Sequence, residues 1–167
     1  YKRQVGSLAG GVVGYFANLY PNNPPKFIVM EAGAADCLYK GAEAGDGEPR
    51  IVGGDLQTIM AGLACGEPNT IGWDILRNHV SAFISCPDWV SAKGMRMLAA
   101  PVKGDPSVTS GESGAVGMGV ISSIMTDDAY KELREALELD NSSQVLMFST
   151  EGDTDPDKYK KLSLIHI

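Results

Sequence analysis

The chain has 167 residues, of which 44% are hydrophobic and 21% charged, as in a single globular domain. Its net charge of −7 argues against nucleic-acid binding, because the phosphate backbone repels an acidic surface. No apolar run approaches the ~18 residues of a membrane span, and the three cysteines lack metal-binding spacing. We therefore expect a cytoplasmic protein with no membrane contact and no metal site.

Four elements are predicted in the first half of the chain. A glycine-rich helix is predicted where apolar residues recur at helical spacing, at Leu8, Val12, Phe16 and Leu19. The continuous apolar run at 27–30 predicts a strand buried on both faces, and a second such strand is predicted at 82–85. Asp55 can cap a helix that ends at Gly66 and carries Leu56, Ile59, Met60 and Leu63 on one side.

The second half of the chain continues the alternation of predicted helices and strands. Pro87 suits the first turn of a helix that runs toward residue 98. Two more helices are predicted, one marked by Val116, Val120 and Ile124, the other capped near Asp127 and marked by Tyr130, Leu133 and Leu137. The apolar run at 145–148 predicts a last strand, so the pattern as a whole indicates an α/β fold with a parallel sheet.

The first candidate site is the glycine–serine turn at 5–11, which opens the first helix. Bare backbone amides at a helix N-terminus form a good cradle for a phosphate group. Ser7 adds a hydroxyl that can donate to a phosphate oxygen. A closely packed helix that binds nothing is the open alternative.

Two other segments can carry chemistry. Ser149 follows the predicted strand at 145–148, where ligands of an open parallel sheet collect, and its hydroxyl can meet a ring nitrogen. A solvated acidic loop is the alternative there, since the spacing of a calcium-binding loop is absent. At 110–117, glycines precede and enter a helix. These glycines either form a wall beside a planar cofactor, with Glu112 hydrogen-bonded to a polar group, or allow a helix to pack closely on the sheet.

Taken in order, these segments resemble the second half of the fold type II pyridoxal-phosphate enzymes. The resemblance is carried by Val5-Gly6-Ser7-Leu8, Met30-Glu31 with Asp36-Cys37, Glu112-Ser113-Gly114-Ala115, and Ser149-Thr150-Glu151-Gly152. Within that family, residues 58–68 and 110–116 are similar to the diaminopropionate ammonia-lyases, most specifically in the string Ala-Gly-Leu-Ala-Cys-Gly-Glu-Pro. The resemblance implies a three-layer, Rossmann-like parallel-sheet fold.

The resemblance also implies pyridoxal 5′-phosphate as the cofactor. The amides of Gly6, Ser7 and Leu8, with the Ser7 hydroxyl, are then expected to hold its phosphate, and Ser149 to face its pyridine nitrogen. Candidates for the wall beside the cofactor and substrate are Gly66, Glu67, Glu112 and Ser113.

The implied reaction is α,β-elimination of a small amino acid, 2,3-diaminopropionate, to pyruvate and ammonia by a homodimer. The family's Schiff-base lysine precedes the phosphate loop, so we expect no catalytic residue in this chain and no activity of the chain alone. On this interpretation residues 5–161 are a partial lyase domain without its N-terminal half, and 1–4 and 162–167 are non-native ends.

Two alternatives remain open for the function. One is a lyase similar to serine and threonine dehydratases, in which Glu31 and Asp36 would fit the metal site that some of those enzymes carry. The other is a non-catalytic ligand-binding or oligomerisation module. Cys37 and Cys65 each lie in a segment near the proposed site, where they are either joined by a disulfide or kept as two buried thiols.

Overall fold

The computed structural model describes residues 4–163 and divides them into two compact units. The first unit comprises residues 4–58 and 62–85, and the second comprises 59–61 and 86–163. Most of the ends predicted to be non-native, 1–3 and 164–167, lie outside the described residues. Leu162 and Ser163, at the margin of that prediction, belong to a helix. The single partial lyase domain over 5–161 stays a prediction.

The first unit has an α/β arrangement with a two-stranded parallel sheet. Its elements, in chain order, are α1 (Ser7–Leu19), β1 (Phe27–Ala32), α2 (Cys37–Ala44), α3 (Thr70–His79) and β2 (Val80–Cys86), the last residue of which falls in the second unit. The predicted first helix and the positions of both predicted early strands are confirmed, although residues 82–85 of β2 are half-buried rather than buried on both faces.

The core of the first unit forms between its helices and its sheet. It consists of Val13, Val29, Cys37, Leu38, Trp73 and Leu76. Helices α1 and α3 touch at two glycines, since a Cβ added to Gly10 would lie 2.9 Å from the Cα of Gly72. This contact fixes the start of α1, and with it the glycine–serine turn, against the start of α3.

The second unit is helical. It contains α4 (Asp88–Ala99), α5 (Glu112–Thr126), a 3₁₀ turn (Asp128–Tyr130), α6 (Lys131–Ala136) and α7 (Pro156–Ser163). Helices α4 and α5 pack backbone to backbone, because a Cβ at Gly94 would overlap the carbonyl oxygen of Ala115. The helices predicted from Pro87, Val116 and Asp127 are confirmed, with Pro87 at the N-cap of α4.

The helix predicted to follow Asp55 is wrong. Only a 3₁₀ turn, Ala61–Leu63, forms in that segment. The Asp55 carboxylate accepts the amide of Gln57 at 3.2 Å in a local turn, and the amide of Ile59 donates to the Asp88 carboxylate at 3.1 Å. A helix capped by Asp55 would need the Ile59 amide for its first backbone bond, and that amide is bonded to Asp88 instead. The glycines nearby lower helix propensity further.

The strand predicted at 145–148 is also wrong. These residues form irregular backbone, and their apolar side chains are exposed, from 37% for Met147 to 68% for Leu146. A strand exists only where a neighbouring strand takes its backbone hydrogen bonds. In the part of the chain that the structure describes, the sheet contains β1 and β2 alone.

Helices α2 and α3 were not predicted. Helix α3 is capped by the Asn69 side chain, which accepts the amide of Gly72 at 2.7 Å, and it buries Trp73 and Leu76 three residues apart. Helix α2 has only eight residues and is ended by Gly45 in the left-handed conformation. Across residues 4–163, none of the helices has both the length and the apolar character needed to cross a membrane.

Candidate functional site: a helix N-terminus and a hydroxyl pair

The glycine–serine turn presents an open helix N-terminus. Gly6 is the N-cap of α1 with φ +89°, a conformation that favours glycine, and no side chain caps the helix. The first helical bond runs from the amide of Gly10 to the carbonyl of Gly6 at 2.7 Å. The amides of Ser7, Leu8 and Ala9 therefore have no acceptor within the helix. With no acidic residue in the first turn, this end keeps the partial positive charge that attracts anions.

The same turn is accessible from solvent. Ser7 is exposed, and its hydroxyl donates to the carbonyl of Gln4 in a long bond of 3.4 Å. Leu8 is also exposed, at 63%. On the opposite side, a Cβ at Gly6 would lie 3.2 Å from the Leu76 side chain, so the turn packs on the core with one face and leaves the other open.

Backbone pairing holds the turn in place next to two of the predicted wall residues, Gly66 and Glu67. The amide of Val5 donates to the carbonyl of Glu67, and the amide of Asn69 donates to the carbonyl of Val5, both at 2.8 Å. Gly66 pairs in turn with Val52, whose carbonyl oxygen would overlap a Cβ at Gly66. Packing against Val52 therefore explains why this position is glycine.

The second unit gathers three predicted site residues, Ser149, Glu112 and Ser113, around the start of α5. The hydroxyl oxygens of Ser149 and Ser110 lie 2.7 Å apart, and we call these two residues the hydroxyl pair. Ser110 is fully buried, whereas Ser149 is exposed. The Glu151 carboxylate accepts the amide of Ser113 at 2.6 Å, which joins the segment after residue 148 to the helix.

Glycines make room for the hydroxyl pair. A Cβ at Gly114 would lie 2.5 Å from the Ser149 hydroxyl and 2.8 Å from that of Ser110. A Cβ at Gly111 would lie 2.5 Å from the carbonyl of Gly152. Gly114 thus leaves the space in which the two hydroxyls meet, and Gly111 leaves the space for the segment at 151–152.

The Glu112 carboxylate forms an ion pair with Lys158. Its side chain is nearly buried, and its carboxylate lies 2.8 Å from the ammonium of Lys158 on α7. Lys158 also donates to the carbonyl of Ile59 at 3.1 Å, and the Glu112 carbonyl accepts the Ser91 hydroxyl. The carboxylate therefore links α7 to the start of α5.

The buried Glu31 carboxylate caps helix α2. It accepts the amides of Leu38 at 3.1 Å and Tyr39 at 2.7 Å. Burial raises the pKa of Glu31 above its ordinary value, and the two backbone amides oppose that rise. Nearby, Asp36 accepts the Ser85 hydroxyl at 2.7 Å and pairs with Lys40 at 3.4 Å. Within residues 4–163, no three or more His, Cys, Asp or Glu side chains are grouped to hold a metal ion.

The disulfide considered between Cys37 and Cys65 is not formed. Both residues are thiols, and the Cys37 thiol instead donates to the Glu31 carboxylate at 3.6 Å. Burial raises the pKa of Cys37 to about 12, and the neighbouring charge of Glu31 adds to this rise. Of the two alternatives, the buried thiol describes Cys37.

Comparison with known proteins decides the family. The family model of pyridoxal-phosphate dependent enzymes matches residues 4–151, a range that includes both the open helix N-terminus and the hydroxyl pair. The chain belongs to this family. The resemblance to fold type II enzymes and the α/β parallel-sheet class are thereby confirmed.

Within the family, the chain is similar to diaminopropionate ammonia-lyases. The Salmonella typhimurium enzyme is 52% identical over 159 residues, covering 95% of this chain and 39% of that protein. The Escherichia coli K12 enzyme is 49% identical over 158 residues, with the same coverage. The crystal structure of the E. coli enzyme in complex with D-serine matches with a TM-score of 0.86 and 44% identity, over 97% of this chain and 40% of that one. The chain spans about two fifths of the length of these relatives.

Three residues around the start of α5 were not singled out from the sequence. They are Ser110, Glu151 and Lys158. Ser110 and Glu151 stand inside stretches that the family resemblance covers, so the local glycine pattern could have pointed to them. Lys158 pairs with a residue 46 positions away, and no local pattern encodes that contact.

Proposed function

We propose that the protein containing this chain binds pyridoxal 5′-phosphate and eliminates ammonia from 2,3-diaminopropionate. The observation that carries the proposal is the family match over residues 4–151, together with about 50% identity to ammonia-lyases over 95% of the chain. Two groups of the chain suit parts of the cofactor, each considered by itself: the open N-terminus of α1 suits a phosphate, and the exposed hydroxyl of Ser149 suits a ring nitrogen.

The phosphate is assigned to the start of α1. The amides of Gly6, Ser7 and Leu8 donate to its oxygens, and the Ser7 hydroxyl exchanges its long bond to Gln4 for one to the phosphate. Helix N-termini suit phosphates because their amides and the helix dipole both favour negative charge. No carboxylate in the first turn competes for this position.

The ring nitrogen is assigned to Ser149. A neutral hydroxyl donates to an unprotonated nitrogen, whereas a carboxylate would stabilise the protonated form. The bound cofactor supplies the electron sink for the carbanion formed at the α-carbon of the substrate. An unprotonated ring nitrogen makes the ring a weaker electron acceptor, which suits elimination rather than transamination.

The remaining candidates line the cofactor and substrate. Gly66 and Glu67 lie beside the phosphate loop, bonded through backbone to Val52 and Val5. Glu112 and Ser113 begin α5 next to the hydroxyl pair. Because Lys158 neutralises Glu112, we assign Glu112 a wall role rather than that of a proton acceptor.

The net reaction consumes one water and releases pyruvate and two ammonia molecules, the β-amino group first and the α-amino group on hydrolysis. We further propose that this chain alone is inactive, since the resemblance places the family's Schiff-base lysine in the part of the protein that precedes the phosphate-binding turn. A cytoplasmic homodimer is the assembly that we propose for the whole protein.

The test is a hybrid in which this chain replaces the matching 39% of the Salmonella typhimurium relative. We expect it to release pyruvate from 2,3-diaminopropionate with two ammonia molecules per pyruvate, faster than from serine or threonine. Faster release from serine or threonine would support the dehydratase-like alternative. A hybrid that is folded and holds the cofactor but forms no pyruvate would overturn the lyase assignment, and this chain alone is the inactive control.

A further inference from the structure

The geometry of the hydroxyl pair bears on which of its two hydroxyls donates the hydrogen bond. Ser110 is fully buried and lies 2.7 Å from the Ser149 hydroxyl, which is an ordinary length for an O–H···O bond. Its other acceptor, the carbonyl of Gly111, is 3.4 Å away. A buried hydroxyl needs an acceptor for its proton, and the bond of 2.7 Å to Ser149 is stronger than the bond of 3.4 Å to Gly111. Either hydroxyl can donate in this pair, and the burial of Ser110 favours Ser110 as the donor, because the exposed Ser149 has solvent or a ligand to accept its own proton.

That donation fixes the direction of the second hydroxyl. With one lone pair of its oxygen occupied by the Ser110 proton, Ser149 has its own proton left to give. Its acceptor within the chain is the carbonyl of Glu151, at 3.4 Å. Since Ser149 is exposed, its proton is available to a ligand on the open side.

The opposite direction is less favourable. A ligand N–H would occupy the second lone pair of the Ser149 oxygen and leave the Ser149 proton to the Glu151 carbonyl at 3.4 Å. So long a hydrogen bond is weak, whereas a ligand acceptor would take that proton in a bond of ordinary length. The hydroxyl pair thus favours a ligand that accepts over one that donates.

We propose that Ser110 is a positioning residue that fixes Ser149 as a donor and thereby keeps the cofactor's ring nitrogen unprotonated. The inference rests on the proposed function, because it concerns the same cofactor. The arrangement also requires glycine at position 114, since any side chain there would contact both hydroxyls.

The test follows the ring nitrogen by ¹⁵N NMR as a function of pH. The probe is ¹⁵N-ring-labelled pyridoxamine 5′-phosphate, which has no aldehyde and cannot bond to a lysine, bound to the full 167-residue chain. In the wild type, the nitrogen should stay unprotonated at pH values where it is protonated in the free probe. In Ser110→Ala its protonation should return toward that of the free probe, with binding about 2- to 10-fold weaker.

Three further variants separate positioning from structure. Ser110→Thr keeps a hydroxyl and should restore the wild-type titration, and Gly114→Ala keeps both hydroxyls but forces them apart and should act like Ser110→Ala. Ser123→Ala is the matched control, because it removes a buried hydroxyl from α5 that bonds the Gly119 carbonyl at 2.9 Å. It should lower the melting temperature without moving the nitrogen titration. If Ser110→Ala fails to fold, Ser110→Cys takes its place, because a thiol has the shape of the serine side chain, is slightly larger and is a weaker donor.

The outcomes are distinguishable. A folded wild-type chain that does not bind the probe overturns the proposed function and this inference together. A wild type that binds, with Ser110→Ala and Gly114→Ala titrating like it, overturns the role of Ser110 and leaves the proposed function standing. A nitrogen shift in Ser123→Ala equal to that in Ser110→Ala would also overturn it, since loss of any buried hydroxyl would then suffice.

Discussion

At the scale of single residues, two serines carry separable parts of the proposed cofactor site. Ser7 lies at an open helix N-terminus, and Ser149 belongs to the hydroxyl pair. A phosphate-binding residue acts only on a ligand with a phosphate, whereas a ring-binding residue acts on the phosphorylated and unphosphorylated forms alike. The two roles can therefore be measured independently.

We predict that Ser7→Ala and Ser149→Ala each weaken binding of pyridoxal phosphate about 2- to 10-fold, the loss of one hydrogen bond. Ser7→Ala should reduce the ratio of affinities for pyridoxal phosphate and pyridoxal, because only the phosphorylated ligand loses a bond. Ser149→Ala should leave that ratio unchanged. Fluorescence titration of both ligands checks this, and a fall of the ratio in both variants would contradict the division of roles.

Cys37 predicts a pH dependence of stability. Its pKa in the folded chain is about 12, above the ordinary value of 9.0, because burial disfavours the thiolate. The folded chain therefore retains a proton that the unfolded chain loses, so the contribution of Cys37 is complete below pH 9 and declines as the pH rises toward 12. We expect the difference in unfolding free energy between wild type and Cys37→Ala to shrink over that range.

Urea denaturation at several pH values measures this difference. Val13→Ala is the control, since Val13 belongs to the same core and does not titrate. Its difference from wild type should stay constant over the same pH range. A Cys37→Ala difference that is equally constant would show that the buried thiol does not titrate as described.

At the scale of elements, α7 is tied to α5 by the ion pair of Lys158 and Glu112. Glu112 is nearly buried, so removal of its partner leaves a charge with little access to water. We predict that Lys158→Met lowers the unfolding free energy by about 1–3 kcal/mol. Adding Glu112→Gln in the double variant should recover part of the loss.

The matched control is Lys131→Met. The Lys131–Glu135 pair is exposed on both sides at 66%, and exposed pairs contribute little. Urea denaturation of the four chains, Lys158→Met, the double variant, Lys131→Met and wild type, gives the comparison. Equal effects of Lys158→Met and Lys131→Met would refute the structural importance of the buried pair.

Elements with a clear period were predictable from the sequence, and those governed by distant contacts were not. Helices α1 and α5 follow from apolar residues at helical spacing, and the strands from continuous apolar runs. The segment after Asp55 has the same spacing but gives its backbone donors to partners such as Asp88, 29 residues from Ile59. The run at 145–148 has the composition of a strand without a neighbouring strand in the described residues.

At the scale of the whole molecule, the family and its motifs could be recognised from sequence because they are local strings. The turn at 5–8 and the glycines at 111 and 114 are such strings, and the structure gives each a physical reason. Contacts between distant segments, such as that of Ser110 with Ser149 or of Glu112 with Lys158, became visible only in three dimensions.

The central claim, that this chain carries binding groups for pyridoxal phosphate but not the lysine that bonds to it, is tested most directly by one titration. The chain is titrated with pyridoxal phosphate and with pyridoxal, followed by absorbance, and then reduced with borohydride and examined by mass spectrometry. We predict tighter binding of the phosphorylated ligand and no specific lysine adduct. A folded chain that binds neither ligand would contradict the proposed cofactor site, and a single modified lysine would contradict the proposal that the Schiff-base residue lies outside this chain.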